Sequence, residues 1–368
     1  MTRKLLLLNG IAIIFAVYHH AIYWAITAIN FWGHRFVSNA TPQLLSSPNL
    51  FALFLRITDQ IGGVAVPAFL FVSGYLYGFS LNRQIIGQSY RFILKRIYYL
   101  LIPYFVWSTL TVIFRIIEGE NYPLARLIRV YLFGEADGPF YYVPLIVQLI
   151  VLSPFLFRAA KKYPLLSIGF VFSFQLLSTI TWYFKMLNIT PLTPLIFFNI
   201  FKSSYLFSHS LWFLMGSLFF IYRENIITMI KPLQRWTWLL LILLFISSQI
   251  EFQLLINANG SNWLNTQSSI LTKGLYTLLI LAYAVFGEKI PSYQKVEYIG
   301  ANSYGIYLTH VIVIEIAARL LYHIFPYLLG QTVILLAVLV FMGITIPLAL
   351  MNFSKKFSIK PLYSFMWG

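Results

Sequence analysis

Apolar residues gather along this chain in ten runs, at about 5–29, 59–81, 97–117, 140–157, 164–184, 205–222, 236–256, 267–286, 298–320 and 328–352. A helix needs about twenty such residues to cross the hydrocarbon core of a bilayer. The runs therefore predict an all-α, polytopic integral membrane protein with about ten transmembrane helices. Most connections are short. Three are long and fall on alternate gaps: 30–58, with Trp32, His34 and Arg35; 118–139, with acidic and basic residues mixed; and 185–204, with paired prolines and Lys202. No internal repeat is visible, which speaks against inverted-repeat transporter architecture.

Composition agrees with the pattern. Hydrophobic residues make up 60% and charged residues 10% of the 368 positions, against about 25% charged in soluble domains, and the mean hydropathy is +0.78. No hydrophilic stretch is long enough for a separate soluble domain, so residues 1–368 read as a single transmembrane domain.

Charge adds an orientation. The net charge is +16, from 26 Lys and Arg against 10 Asp and Glu. With the N-terminus inside, the inside segments hold Arg3 and Lys4; Arg83, Arg91, Lys95 and Arg96; Arg158, Lys161 and Lys162; Arg223, Lys231 and Arg235; Lys289 and Lys295; and Lys355, Lys356 and Lys360. That is 17 of the 26 bases. Every inside segment is basic, which places both termini in the cytoplasm. It also makes the excess positive charge a topology signal and not a nucleic-acid surface, because no basic face alternates with exposed aromatics outside the spans. Arg3 and Lys4 ahead of an apolar run mimic a signal peptide, but the histidines late in that run favour a retained first helix. The chain has no cysteine, which excludes a thiol nucleophile, disulfides and thiolate metal sites.

Candidate chemistry is sparse and therefore conspicuous. The first run holds Asn9 and then, in NGIAIIFAVYHH, the adjacent His19 and His20. At 1.5 Å per residue, Asn9 and His20 lie about 16 Å apart, roughly half the hydrocarbon core. An ionisable group at that depth needs a protein interior or a wet cavity. His20, sixteen residues past Lys4, falls in the outer half, where a neutral imidazole suits a general base. The plainer alternative is a histidine that hydrogen-bonds a neighbouring helix. His19 points about 100° away and suits a structural or tautomer-setting partner.

Ser73, Gly74 and Gly78 form a small-residue pattern that lets either a helix or a slender ligand approach the backbone. Arg91, Lys95 and Arg96 suit either a phosphate-bearing ligand or anionic lipid. Arg56 with Asp59, and Glu315 with Arg319, have the spacing of local ion pairs. His310, near mid-membrane, could join a polar network with His20, and His209 is a third candidate. No His, Asp and Glu spacing suits a metal, and no phosphate-cradling GxxxxGK[ST] occurs.

Six segments in order, LNGIAIIFAVYHH, VPAFLFVSGYLYG, RFILKRIYYLLIPYFVW, FYYVPLIVQLIVLSPFL, LWFLMGSLF and GANSYGIYLTH, resemble the acyltransferase-3 family of bacterial integral-membrane acyltransferases. The resemblance implies a ten-helix core in the cell membrane with cytoplasmic termini. It implies an O-acyltransferase, in which an acyl-CoA such as acetyl-CoA is the donor and a hydroxyl of an envelope glycan or related molecule is the acceptor.

On this sequence the family's roles fall as follows. His20 is the general base; Arg91, Lys95 and Arg96 meet the donor's phosphates; and Ser73, Gly74 and Gly78 line the pantetheine path. The family's first-helix signature is a basic residue, ten residues, then histidine. Counting back from His20 lands on Asn9, so the histidine matches and the basic partner is missing. His19, His209, His310, Arg56 and Asp59 remain substrate or polar-network candidates, and no metal is implied. Two other classes stay open: an exporter of a polysaccharide or acyl intermediate, and a catalytically lapsed relative acting as a membrane-complex partner.

Overall fold

Each of the ten apolar runs carries a helix in a computed structural model that describes residues 2–32, 50–82, 86–187, 189, 205–259, 271–286, 293–356 and 360–368. No strand occurs among the described residues. The all-α membrane fold expected from the sequence is the fold found. Eight helical stretches are long and apolar enough to cross a bilayer. A ninth is formed if α8 (Tyr205–Ile221) and α9 (Arg223–Ile230), bent by 97° at Tyr222, count together. The run ending at 286 carries the shorter α11 (Leu271–Phe286).

Two long connections contain helix that hydropathy missed. α2 (Leu50–Gly62) begins nine residues before its apolar run, because Arg56 and Asp59 lower the local mean while Ala52 and Leu55 bury one face. A turn at Gly63 and Val64 separates it from α3 (Ala65–Asn82). Within 118–139 lies the amphipathic α5 (Leu124–Phe133), closed by Gly134 in the left-handed region at φ 75°. Glycine tolerates that conformation, and the residue's own N–H closes on the Val130 carbonyl. Most of the 185–204 connection, including Lys202, lies outside the described residues, as do His34 and Arg35.

The chain divides into two compact units. The first comprises residues 1–8, 66–95 and 145–293. It contains α3, α6 (Tyr142–Lys162), α7 (Pro164–Met186), α8, α9, α10 (Thr237–Asn259) and α11. α7 packs along α8 around Ala160, Val171, Leu211, Leu214 and Leu218, and α10 packs along α11. α3 meets α8 at reciprocal glycines. A Cβ on Gly74 would collide with the Phe213 carbonyl, and one on Gly216 with that of Phe71. Ser217 Oγ donates to the Gly74 carbonyl at 3.0 Å across the same contact. Small residues with close backbones are how helices associate where hydrophobicity gives no preference.

The second unit comprises residues 9–65, 96–144 and 294–368. It holds most of α1 (Thr2–Thr27), which ends in a π-turn over Ala28–Trp32, together with α2, the later part of α4 (Ile86–Ile117), and α5. Its remaining helices are α12 (Gln294–Ala301), α13 (Ser303–Ile324), α14 (Thr332–Lys356) and α15 (Lys360–Trp367). α13 lies along α14, where Gly343 admits Ile314 and Val17. Gly10 presses α1 against the Val296 carbonyl of α12. At the base of α13, Gly305 seats Met351 and the Trp367 indole. Trp107 Nε1 donates to the Met366 carbonyl at 2.9 Å, which ties α15 to α4.

Candidate active site

α1 and α13 bring two of the sequence-selected histidines together. The His20 and His310 ring centroids are 5.2 Å apart, tilted by 59°. His310 is fully buried and His20 half-buried. On its other side His20 lies 5.1 Å from the ring of His19. The more exposed His19 donates through Nδ1 to Asp59 of α2 at 2.5 Å. Three imidazoles and one carboxylate thus form a continuous series drawn from α13, α1 and α2.

The tautomer of His310 follows from its partners. Nδ1 lies 2.8 Å from the Tyr307 carbonyl and 3.1 Å from that of Ile306. Carbonyls only accept, so Nδ1 carries the proton and the lone pair sits on Nε2. Nε2 is buried and has no hydrogen-bond partner among the described residues. A buried acceptor left bare costs about 1–3 kcal/mol. Tyr304 and Tyr307 precede His310 on the same face at three-residue spacing. Their hydroxyls donate to the carbonyls of Leu100 and Pro139, fixing this face of α13 to α4 and to the turn at Gly138–Tyr141.

A second polar cluster lies further along α13. Arg115 of α4 grips the fully buried Glu315 with both terminal nitrogens, at 2.6 and 2.7 Å. Arg319 donates to the same carboxylate at 2.8 Å and to Glu118 at 2.6 Å. Asp137 stands 3.5 Å from Arg115 and accepts from the Gly138 N–H at 2.6 Å. Burial pushes the Asp137 carboxyl above its ordinary range, while the Gly138 N–H and Arg115 pull it back. Arg319 also lies over the Trp32 ring, which faces Trp24 and Tyr322.

The Glu315–Arg319 pair was legible from its spacing. Its union with Arg115, 200 residues away in sequence, was not. Only an orphaned buried charge on each of two apolar runs hinted at it. Asp59, expected beside Arg56, reaches across to His19.

The other sequence candidates have different surroundings. Arg91, Lys95 and Arg96 are exposed on the first turns of α4. The face opened by Gly74 is filled by the α8 backbone, and Gly78 lies against the Phe220 ring, 3.2 Å from where a Cβ would stand. His209 belongs to the first unit and bonds within its own helix, to Ser208 Oγ at 2.7 Å and the Tyr205 carbonyl at 3.1 Å. Asn9 has a buried Oδ1 with no hydrogen-bond partner among the described residues. Among those residues no group of three His, Asp or Glu is arranged to hold a metal.

The sequence profile of the family described as "Acyltransferase domain", acyltransferase-3, matches residues 5–351. The chain belongs to the acyltransferase-3 family. The expected resemblance thus holds over nearly the whole chain, and a family of this kind makes the protein a membrane acyltransferase. Among curated relatives, two Staphylococcus aureus proteins, from strains MSSA476 and MRSA252, are each named "Probable poly-beta-1,6-N-acetyl-D-glucosamine export protein". Each is 24% identical over 251 residues, covering 68% of this chain and 68% of the relative. No solved structure matches.

Proposed function

We propose that this acyltransferase moves an acyl group, most simply acetyl from acetyl-CoA, onto a hydroxyl of an envelope glycan, with His20 as general base. The observation that carries the reading is the half-buried His20 ring set beside the buried His310 in a chain that matches an acyltransferase profile over residues 5–351. The glycan acceptor is supported by the relatives named for an N-acetylglucosamine polymer.

In the proposed step His20 takes the proton from the acceptor hydroxyl as its oxygen attacks the thioester carbonyl. A C–O bond forms, the C–S bond breaks, and the CoA thiolate leaves with the proton that His20 had taken. The chain has no cysteine to carry an acyl group, and the proposed transfer is direct, with an acyl-histidine relay through the same ring as the alternative route. Arg91, Lys95 and Arg96 are the groups proposed to meet the donor's phosphates, supported by their exposure on consecutive turns of α4. Asn9 supplies no charge where the family's signature has a base; Arg3, Lys4 and the 91–96 cluster are the bases that could cover that role.

The test uses purified protein in lipid nanodiscs, acetyl-CoA, and a β-1,6-linked N-acetylglucosamine pentasaccharide. Acetylated sugar is expected from the native chain. His20→Ala is expected to cost about 10²–10⁴-fold in kcat while the thermal unfolding midpoint stays in place. Unchanged turnover in that variant would remove His20 from its role.

A second reading, export of the glycan, is favoured by the names of the relatives. It predicts movement of labelled oligosaccharide into proteoliposomes with no acyl donor present.

A further inference from the structure

We infer that His310 is a positioning residue for acyl transfer, whose Nε2 accepts a hydrogen bond from His20 and thereby fixes the tautomer and direction of the base. The inference rests on the reading of His20 as general base. Three observations lead to it. The Nδ1 proton of His310 is committed to carbonyls of its own helix, so the ring presents its lone pair on the opposite edge. That lone pair is buried and has no partner among the described residues. The ring beside it is His20, on a different helix, at 5.2 Å between centroids. An in-line N–H···N bond between two imidazoles, with nitrogens about 2.9 Å apart, puts the centroids about 5 Å apart. The spacing is therefore already that of the bond, and rotation of the half-buried His20 side chain that points a ring nitrogen at Nε2 closes it.

The consequence for the chemistry is directional. A His20 N–H held by His310 leaves the other His20 nitrogen as a lone pair, the form that can accept a hydroxyl proton. Once His20 is protonated, its bond to His310 becomes charge-assisted and strengthens. His310 gains and loses no proton in this scheme, because its own Nδ1–H stays on the Tyr307 and Ile306 carbonyls.

Two isosteric substitutions separate this role from a structural one. Glutamine carries its amide near the position of Nε2, and asparagine carries its amide near that of Nδ1. With the nanodisc assay above, His310→Gln is expected to stay within about ten-fold of the native kcat, and His310→Asn and His310→Phe to fall about a hundred-fold, with the KM for acetyl-CoA unchanged. Asparagine matching or exceeding glutamine would show that only the Nδ1 bonds matter, and native turnover in His310→Phe would show that neither nitrogen does; either result overturns the inference.

A measurement on the native chain stands independently of folding in the His310 variants and of activity. With ¹⁵N-histidine labelling, the His20 signal, identified by its loss in His20→Ala, is expected to show one neutral tautomer and a coupling across the hydrogen bond to His310. An even mixture of tautomers without that coupling would overturn the inference. If His20→Ala retains full turnover, the proposed function falls first, and the labelling result still decides whether the two rings are bonded.

Discussion

At the scale of the residue, the second unit concentrates cost where it concentrates order. Glu315 is a fully buried carboxylate shared by two arginines. Removing it takes the buried partner from both arginines, leaving Arg115 to Glu118 and Asp137 and Arg319 to Glu118, and breaking a buried pair costs up to about 3–5 kcal/mol. Glu315→Leu is therefore expected to lower the thermal midpoint sharply. The double variant Glu315→Leu with Arg115→Met should recover part of the loss, because the arginine most committed to Glu315 goes with it while Arg319 keeps Glu118. A double variant as unstable as the single would show that the cluster holds α4 and α13 through packing alone.

The sequence disclosed Glu315 and Arg319 as a spaced pair and not the cluster itself. Arg115, Glu315 and Arg319 stand out as charges in apolar surroundings, but hydropathy carries no information on which helix faces which. The same holds for the histidines. The motif spacing selected His20 from the first helix and marked Asn9 as the departure. The orphaned Nε2 of His310 depends on a side-chain rotation that no sequence pattern encodes.

At the scale of the element, glycines decide where helices close. Gly74 and Gly216 are backbone contacts between α3 and α8, and neither carbonyl opposite them can move aside as a flexible side chain could. Gly74→Ala is expected to push the two helices apart at a cost of about 1–3 kcal/mol. Gly169, in the second turn of α7, has nothing within 4 Å of where a Cβ would stand. Gly169→Ala should instead gain up to about 1 kcal/mol through helix propensity. Chemical or thermal unfolding in the same detergent reads both, and equal effects would refute the packing argument.

Element positions were largely legible because a long apolar run has few alternatives in a membrane. The errors fell where helices are amphipathic. α5 has an apolar face with charges on the rest, and the start of α2 carries Arg56 and Asp59, so a window average reads both as loops.

At the scale of the whole molecule, the uneven distribution of bases predicts an orientation. The side assigned to the cytoplasm carries 17 of the 26 Lys and Arg residues. A fluorescent protein fused after Gly368 is expected to fluoresce, and alkaline phosphatase inserted after Gly119, in the 118–139 connection, to be active. The reverse pattern would invert the topology and put Arg91, Lys95 and Arg96 on the side without acyl-CoA, which would undo their proposed role. This orientation is a property of charge along the sequence and needs no tertiary structure to be read.

Trp367 lies against Gly305 and stacks 5.3 Å from Trp107, so the last helix underpins the one that carries His310. During synthesis His20 leaves the ribosome about 350 residues before that support exists. At about 5–20 residues per second, the interval is roughly 20–70 s. His20 therefore waits about 290 residues of synthesis for His310, and longer for the helix that seats Gly305.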